Sequence, residues 1–242
     1  SAVVGNVNVT NLESGTLSIQ AARPQCRKSA LVRQLAQWVR LVKDMVVGEG
    51  LKINCAPTFR GQMGTDDVKV TMVGPTQVEW FVGEAGEPTL QVEFGQILVS
   101  AVKAGKSLNV RLGDEETEIG FADIDSVVAM SVKHFRAPGT DPLKVDSRKP
   151  LARVISVQGS LTFNADGQET LLQTGQQWVK RASNKAQVVP VEEVPSWIDP
   201  PDETTTSLES GARDGLLEMV KGDQPLEIAL REARLFRRSE VA

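Results

Sequence analysis

The chain has 242 residues, a formal net charge of −4, one histidine (His134), two cysteines (Cys26 and Cys55), no tyrosine and 5% aromatic residues. One His and two Cys fall short of the four ligands of a structural zinc site, and a histidine-based catalytic centre would have only His134 to use. The acidic balance gives no electrostatic case for nucleic acid. Hydrophobic residues at 40% suffice for a core, and no apolar run is long enough to span a bilayer. The opening Ser-Ala-Val-Val, without Met or a signal pattern, points to a processed or excised chain.

Residues 1–20 read as one or two short strands (Val7, Val9, Leu12, then Leu17, Ile19) about a Glu13-Ser14-Gly15-Thr16 turn. Residues 21–43 then carry six basic residues and no acid. Leu31, Val32, Leu35, Trp38, Val39, Val42, Met45 and Val46 recur at spacings of three and four, which predicts an amphipathic helix capped by Ser29 and stopped by Gly48. Arg33, Gln37, Arg40 and Asp44 fall on its polar face. That face is either simply solvated or a docking face for an acidic partner or an anionic membrane surface.

Residues 49–190 read as strand after strand. The alternating segments are Leu51-Ile53-Cys55, Val68-Val70-Met72, Val78-Trp80-Val82, Leu90-Val92-Phe94, Leu108-Val110-Leu112 and Ile119-Phe121. Turn clusters separate them at Gly61-Gln62-Met63-Gly64, Gly74-Pro75, residues 83–86, Ala104-Gly105-Lys106 and Gly113-Asp114. Short strands at this spacing predict a sandwich or barrel and exclude a parallel α/β sheet. The run Val127–Met130 predicts a strand buried on both faces, and residues 137–150, with three Pro, predict a long loop. Strands resume at Val154–Val157 and at Leu161-Phe163, and an Asp-Gly turn ending at Gly167 should close a hairpin onto Leu171-Leu172.

Residues 191–210 form an acidic, Pro-rich linker, with Trp197-Ile198 expected to clamp it onto the β domain. Residues 211–242 read as a helical tail in which Pro225 opens a second helix and Glu227 precedes Arg231 by four. The division is therefore 1–48, 49–190, 191–210 and 211–242.

The chemistry offered is sparse. His134 has no Gly-x-Ser-x-Gly elbow to serve and reads as a surface or loop residue. The neighbouring acids Asp66-Asp67, Glu115-Glu116 and Glu192-Glu193 would point to opposite faces of a strand, whereas paired glycosidase carboxyls face each other across a cleft. Asp123 and Asp125 share a face beside Phe121, either as weak Ca²⁺ ligands or as a solvated strand end. Phosphate loops and dinucleotide fingerprints are missing. Cys26 and Cys55 would staple the N-terminal segment to the sheet in an oxidising compartment and be two unrelated thiols in a reducing one. The expectation is a non-enzymatic chain with no cofactor and no metal.

Two segments resemble each other, residues 89–101 and 170–182, each with a Gly-Gln step (Gly95-Gln96, Gly175-Gln176) expected as a tight turn between strands. The order of elements over residues 61–182 resembles the FecR family. It is carried by Gly64–Val78 with its Gly-Pro step, Leu90–Val99 with Gly-Gln, the Val128–Val132 strand, Val154-Ile155-Ser156-Val157-Gln158-Gly159, and Leu171 to Gly175-Gln176. The resemblance covers about half the chain. It implies a mainly β fold, a FecR-like β-sandwich or double-stranded β-helix, preceded by the amphipathic helix and followed by the helical tail. It also implies a periplasmic or cell-surface location in bacteria and a role in signalling or envelope assembly through a protein partner. Arg33 and Arg40, and Arg231, Arg234 and Arg238, are the partner-binding candidates. The alternative is a carbohydrate-binding sandwich that stacks a glycan on Trp80, Trp178 or Trp197.

Overall fold

The computed structural model describes residues 7–12, 17–21, 37–40, 46–47, 50–82, 88–136, 138–139, 141, 148–165, 167–182, 184–200, 202, 210–211, 214–215 and 218, with the backbone alone before residue 50. Among them the chain forms sixteen strands in one hydrogen-bonded sheet. In order these are β1 (Val7–Leu12), β2 (Leu17–Ala21), β3 (Gln37–Arg40), β4 (Val46–Val47), β5 (Leu51–Cys55), β6 (Arg60–Gly64), β7 (Val68–Val82) and β8 (Pro88–Ala101). They continue with β9 (Lys106–Leu112), β10 (Glu115–Phe121), β11 (Val127–Arg136), β12 (Arg148–Gln158), β13 (Leu161–Ala165), β14 (Gln168–Leu172), β15 (Gln176–Arg181) and β16 (Gln187–Pro190).

The sheet folds into two layers because its longest hairpin, β7–β8, changes neighbours halfway along. The first half of β7 pairs with β6 and its second half with β5. The first half of β8 pairs in parallel with β9, and its second half pairs antiparallel with β11. A front layer therefore runs β6-β7-β8-β11-β12-β15-β16, and a back layer runs β5-β7-β8-β9-β10-β13-β14. β1 extends the front layer from β6, and β2 with β3 extends the back layer from β5.

The crossing point is built from Gly74, Thr76 and Gly95. Below it Val70 faces Val99 and Met72 faces Ile97; above it Val78 faces Val92 and Trp80 faces Leu90. The register slips by one residue between the two halves, so the buried positions of β8 change from even numbers to odd ones while both halves keep their apolar side inward. Gly95 absorbs the slip at a φ of 106°. A Cβ there would stand 2.3 Å from Thr76 Oγ1 and 2.5 Å from the Pro75 carbonyl oxygen, and the Gln96 amide donates to Thr76 Oγ1 at 2.9 Å. Gly74-Pro75 and Gly95-Gln96, expected as turns, are thus bends within continuous strands. Gly61–Gly64, also expected as a turn, is strand β6.

Between the layers lies one continuous core. Ile53, Met72, Leu90, Ile97, Val110, Ile119, Met130, Val154 and Phe163 are wholly enclosed. The Phe163 ring of the back layer meets the Trp178 ring of the front layer at 4.9 Å. Trp80 Nε1–H donates to Met63 Sδ across the layers at 3.5 Å.

The predicted helix over 29–47 is corrected where the chain is described: Gln37–Arg40 is strand β3, paired antiparallel with β2, and Val46–Val47 is strand β4, paired with β1. Trp38, Val39, Val46 and Val47 are aromatic or β-branched residues that suit a pleated strand, and pairing with a neighbouring strand overrides a modest helical preference. The hairpin β13–β14 closes as expected, with Ala165 opposite Gln168 and Gly167 at a φ of 72°. The long loop ends earlier than expected, since β12 begins at Arg148. In the tail, the described residues Ser210, Gly211, Asp214, Gly215 and Glu218 are helical; the remainder of that helical prediction lies outside the described residues.

Candidate functional site

The first half of strand β11 is buried on both faces, as its unbroken apolar run predicts. Val128 and Met130 enter the core, while Ala129 points outward and is equally enclosed. Its cover is the segment that follows β16. Ile198 packs against Ala129 and Ile155, with Leu98, Val157, Val191 and Trp197 around them. This strap is tied down through its backbone. Arg60, at the start of β6, donates from Nη2 to the Trp197 carbonyl at 2.6 Å, from Nη1 to that of Ile198 at 3.4 Å, and to that of Asp199. At its other end the Val191 amide donates to the Gly175 carbonyl at 2.8 Å. Pro195 carries no N–H, so the strap has one donor fewer to satisfy as it crosses the sheet.

Where the strap lifts away from the front layer it encloses a cleft of about 790 Å³. Lys133 of β11 and Arg153 of β12 line the sheet side; Glu192, Glu193 and Trp197 line the strap side. Arg153 is held in place: its Nε and Nη2 donate to Gln177 Oε1 at 3.1 and 2.5 Å, and Gln177 Nε2 donates to the Pro190 carbonyl at 3.3 Å. Gln177 is buried. Among the described residues, none of the four charged side chains of the cleft is ion-paired. A second, smaller cleft of about 400 Å³ includes Glu115 and Lys180 in its lining, and these two are joined by an ion pair of 2.5 Å. The strap cleft therefore keeps charges of both signs available to a ligand, whereas the smaller one has part of its charge neutralised internally.

The structure distributes the other candidates widely. His134 is exposed on strand β11 opposite Pro150, not in a loop. Asp123 and Asp125 lie in the turn after β10, not on a strand face. Ser126 ties that turn, its amide donating to the Asp123 carbonyl at 3.2 Å. Lys103 donates a hydrogen bond to Asp67, and with Lys106 nearby this holds the carboxyl below its usual range. Glu116 pairs with Arg111 at 2.6 Å. Trp80 and Trp178 are buried in the core and cannot stack a glycan, which corrects that reading for both; Trp197 is half-buried at the cleft.

Cys55 is a free, buried thiol 3.3 Å from the Phe59 carbonyl oxygen, and burial pushes its pKa up to about 12. Cys26, its suggested disulfide partner, lies outside the described residues, as do Arg33, Arg231, Arg234 and Arg238. Arg40 is described only as backbone, paired with Ser18. Sequence reasoning picked out Trp197 and Glu192-Glu193 but missed Lys133, Arg153 and Gln177. They come from three separate strands, and only the pairing of β11 with β12 and of β12 with β15 assembles them.

No protein-family model matches the chain, and no curated protein matches it. Two solved crystal structures are similar at a low level, each of a "putative anti-sigma factor from Parabacteroides distasonis ATCC 8503". The first is 13% identical with a TM-score of 0.39, over 57% of this chain and 59% of that one. The second is 13% identical with a TM-score of 0.41, over 67% of this chain and 74% of that one. The chain thus spans less than two thirds of the first structure's length, and likeness at this level leaves the role to be argued from the chain's own residues.

Proposed function

We propose that this chain is a FecR-like β domain that works outside the cytoplasm as a protein-interaction module in bacterial signalling. The carrying observation is the strap: a segment fastened across a doubly buried strand so that one sheet face becomes a walled cleft with unpaired charges. The FecR-like order of strands over residues 61–182 supports the same reading. The basic segment containing Arg33 and Arg40, and the basic positions Arg231, Arg234 and Arg238, are further contact surfaces under this proposal.

The test is capture by the intact chain carrying a photo-crosslinker at Ser196, an exposed residue of the cleft lining, applied separately to bacterial envelope and cytosolic fractions. One protein enriched from the envelope fraction, and competed away by unlabelled chain, is the expected result. Capture that is equal from both fractions, or insensitive to competitor, removes the proposal.

A further inference from the structure

We infer that the strap cleft binds an extended peptide segment of mixed charge, taking an acidic side chain on Arg153 and Lys133 and a basic one on Glu192 and Glu193. This rests on the protein-interaction reading above and names the chemistry of the partner at that site.

The two walls carry opposite charge, Lys133 and Arg153 on the sheet and Glu192 and Glu193 on the strap. A purely acidic ligand would be drawn to the sheet side and repelled from the strap side; a purely basic one would meet the reverse. A chain with both charges a few residues apart is attracted at both walls, and it discriminates against ligands of a single sign. Arg153 is the best prepared of the four groups. Two of its five donors are spent on Gln177, which is itself anchored to the β16 backbone at Pro190, just before the strap begins. The guanidinium is therefore oriented before a ligand arrives, and less side-chain freedom is lost on binding a carboxylate.

Trp197, Pro190 and Pro195 add an apolar lining to the same cleft, suited to the aliphatic parts of a peptide. The volume of about 790 Å³ lies toward the upper end of ordinary ligand clefts, about 300–1,000 Å³. It suits a short extended stretch better than a single small ion.

The experiment measures binding of the intact chain to four sets of short synthetic peptides: mixed-charge, all-acidic, all-basic and uncharged. The mixed set carries one Asp or Glu and one Lys or Arg two to four residues apart. The mixed set should bind most tightly and weaken with added salt. Arg153→Ala should weaken it about tenfold, and the Glu192→Gln, Glu193→Gln double variant should weaken the same peptides. These strap carboxylates are exposed, so the double variant should retain the parent's thermal midpoint and separate lost binding from lost folding. Equal binding of mixed and all-acidic peptides overturns the inference. So does affinity untouched by both variants, or binding to a glycan array that is lost in Trp197→Ala. If Arg153→Ala still captures the parent chain's envelope partner with undiminished yield, the cleft assignment falls while the interaction reading stands. If the parent itself captures nothing, that broader reading falls.

Discussion

Gly95 and Gly175 each open the Gly-Gln step of the two similar segments, yet their surroundings set very different demands. At Gly95 an added Cβ would meet the Pro75 carbonyl oxygen and Thr76 Cα, both at 2.5 Å. These are backbone atoms and cannot rotate away. At Gly175, with a φ of 82°, the same Cβ would meet nothing within 4 Å. Gly175→Ala should therefore cost only the left-handed conformation, about 1 kcal/mol. Gly95→Ala adds a clash at the crossing of the layers and should cost about 3 kcal/mol or more. Urea denaturation midpoints of the two variants measure the difference, and equal midpoints would refute the role given to Gly95.

Cys55 offers a second test at this scale. Its folded pKa of about 12 stands above the ordinary thiol value of 9.0, so the unfolded chain loses this proton first. Its stabilising contribution is complete below about pH 9 and declines as pH rises toward 12. The chain has no tyrosine to ionise in the same range. Between pH 8 and pH 10 the urea midpoint should fall for the parent chain and fall less for Cys55→Ala, whatever that variant's starting stability.

Among the elements, the strap is the one whose attachment can be loosened without touching the main core. Ile198 packs in the small outer cluster, apart from the core between the layers. Truncating it to Ala should lower the local opening free energy by about 2 kcal/mol. Amides of residues 191–199 should then exchange roughly thirtyfold faster, while those of β11 positions bonded within the sheet stay protected. Arg60→Ala, which removes the donors to three successive carbonyls, should act in the same direction. Unchanged exchange in both variants would show that the strap is held by something else.

The strap's anchor was legible from Trp197-Ile198, two large apolar residues in an acidic, Pro-rich stretch. The strands β5, β9, β10 and β13 were legible too, because one side faces the core and the other does not, which leaves a period of two in the residues; β14 was legible from the Asp-Gly turn before it. Residues 37–40 and 46–47, the described part of the predicted N-terminal helix, were misread because Leu31, Leu35, Trp38, Val42 and Met45 satisfy helical spacing, while the pairing of β3 with β2 is a long-range event that leaves no local mark. The same limit hid the basic wall of the cleft. Lys133 and Arg153 look like ordinary polar positions on alternating strands until β11 and β12 lie side by side and the strap crosses them.

At the scale of the whole molecule, the two layers should behave as one cooperative unit. They share both strands of the β7–β8 hairpin, and their inward side chains form a single cluster. Trp80, in the back layer, donates to Met63 in the front one. Trp178, in the front layer, packs on Phe163 in the back. Unfolding either layer alone would expose the apolar face of the other, so no intermediate with one intact layer is favoured. The four tryptophans can report this separately if the chain is labelled with 5-fluorotryptophan and followed by fluorine NMR through a urea titration. The native resonances of Trp80 and Trp178 should vanish at a common midpoint. That of Trp197 should begin to shift at lower urea, because the strap opens before the sheet does. Distinct midpoints for Trp80 and Trp178 would mean that the bent hairpin joins two independently folding layers.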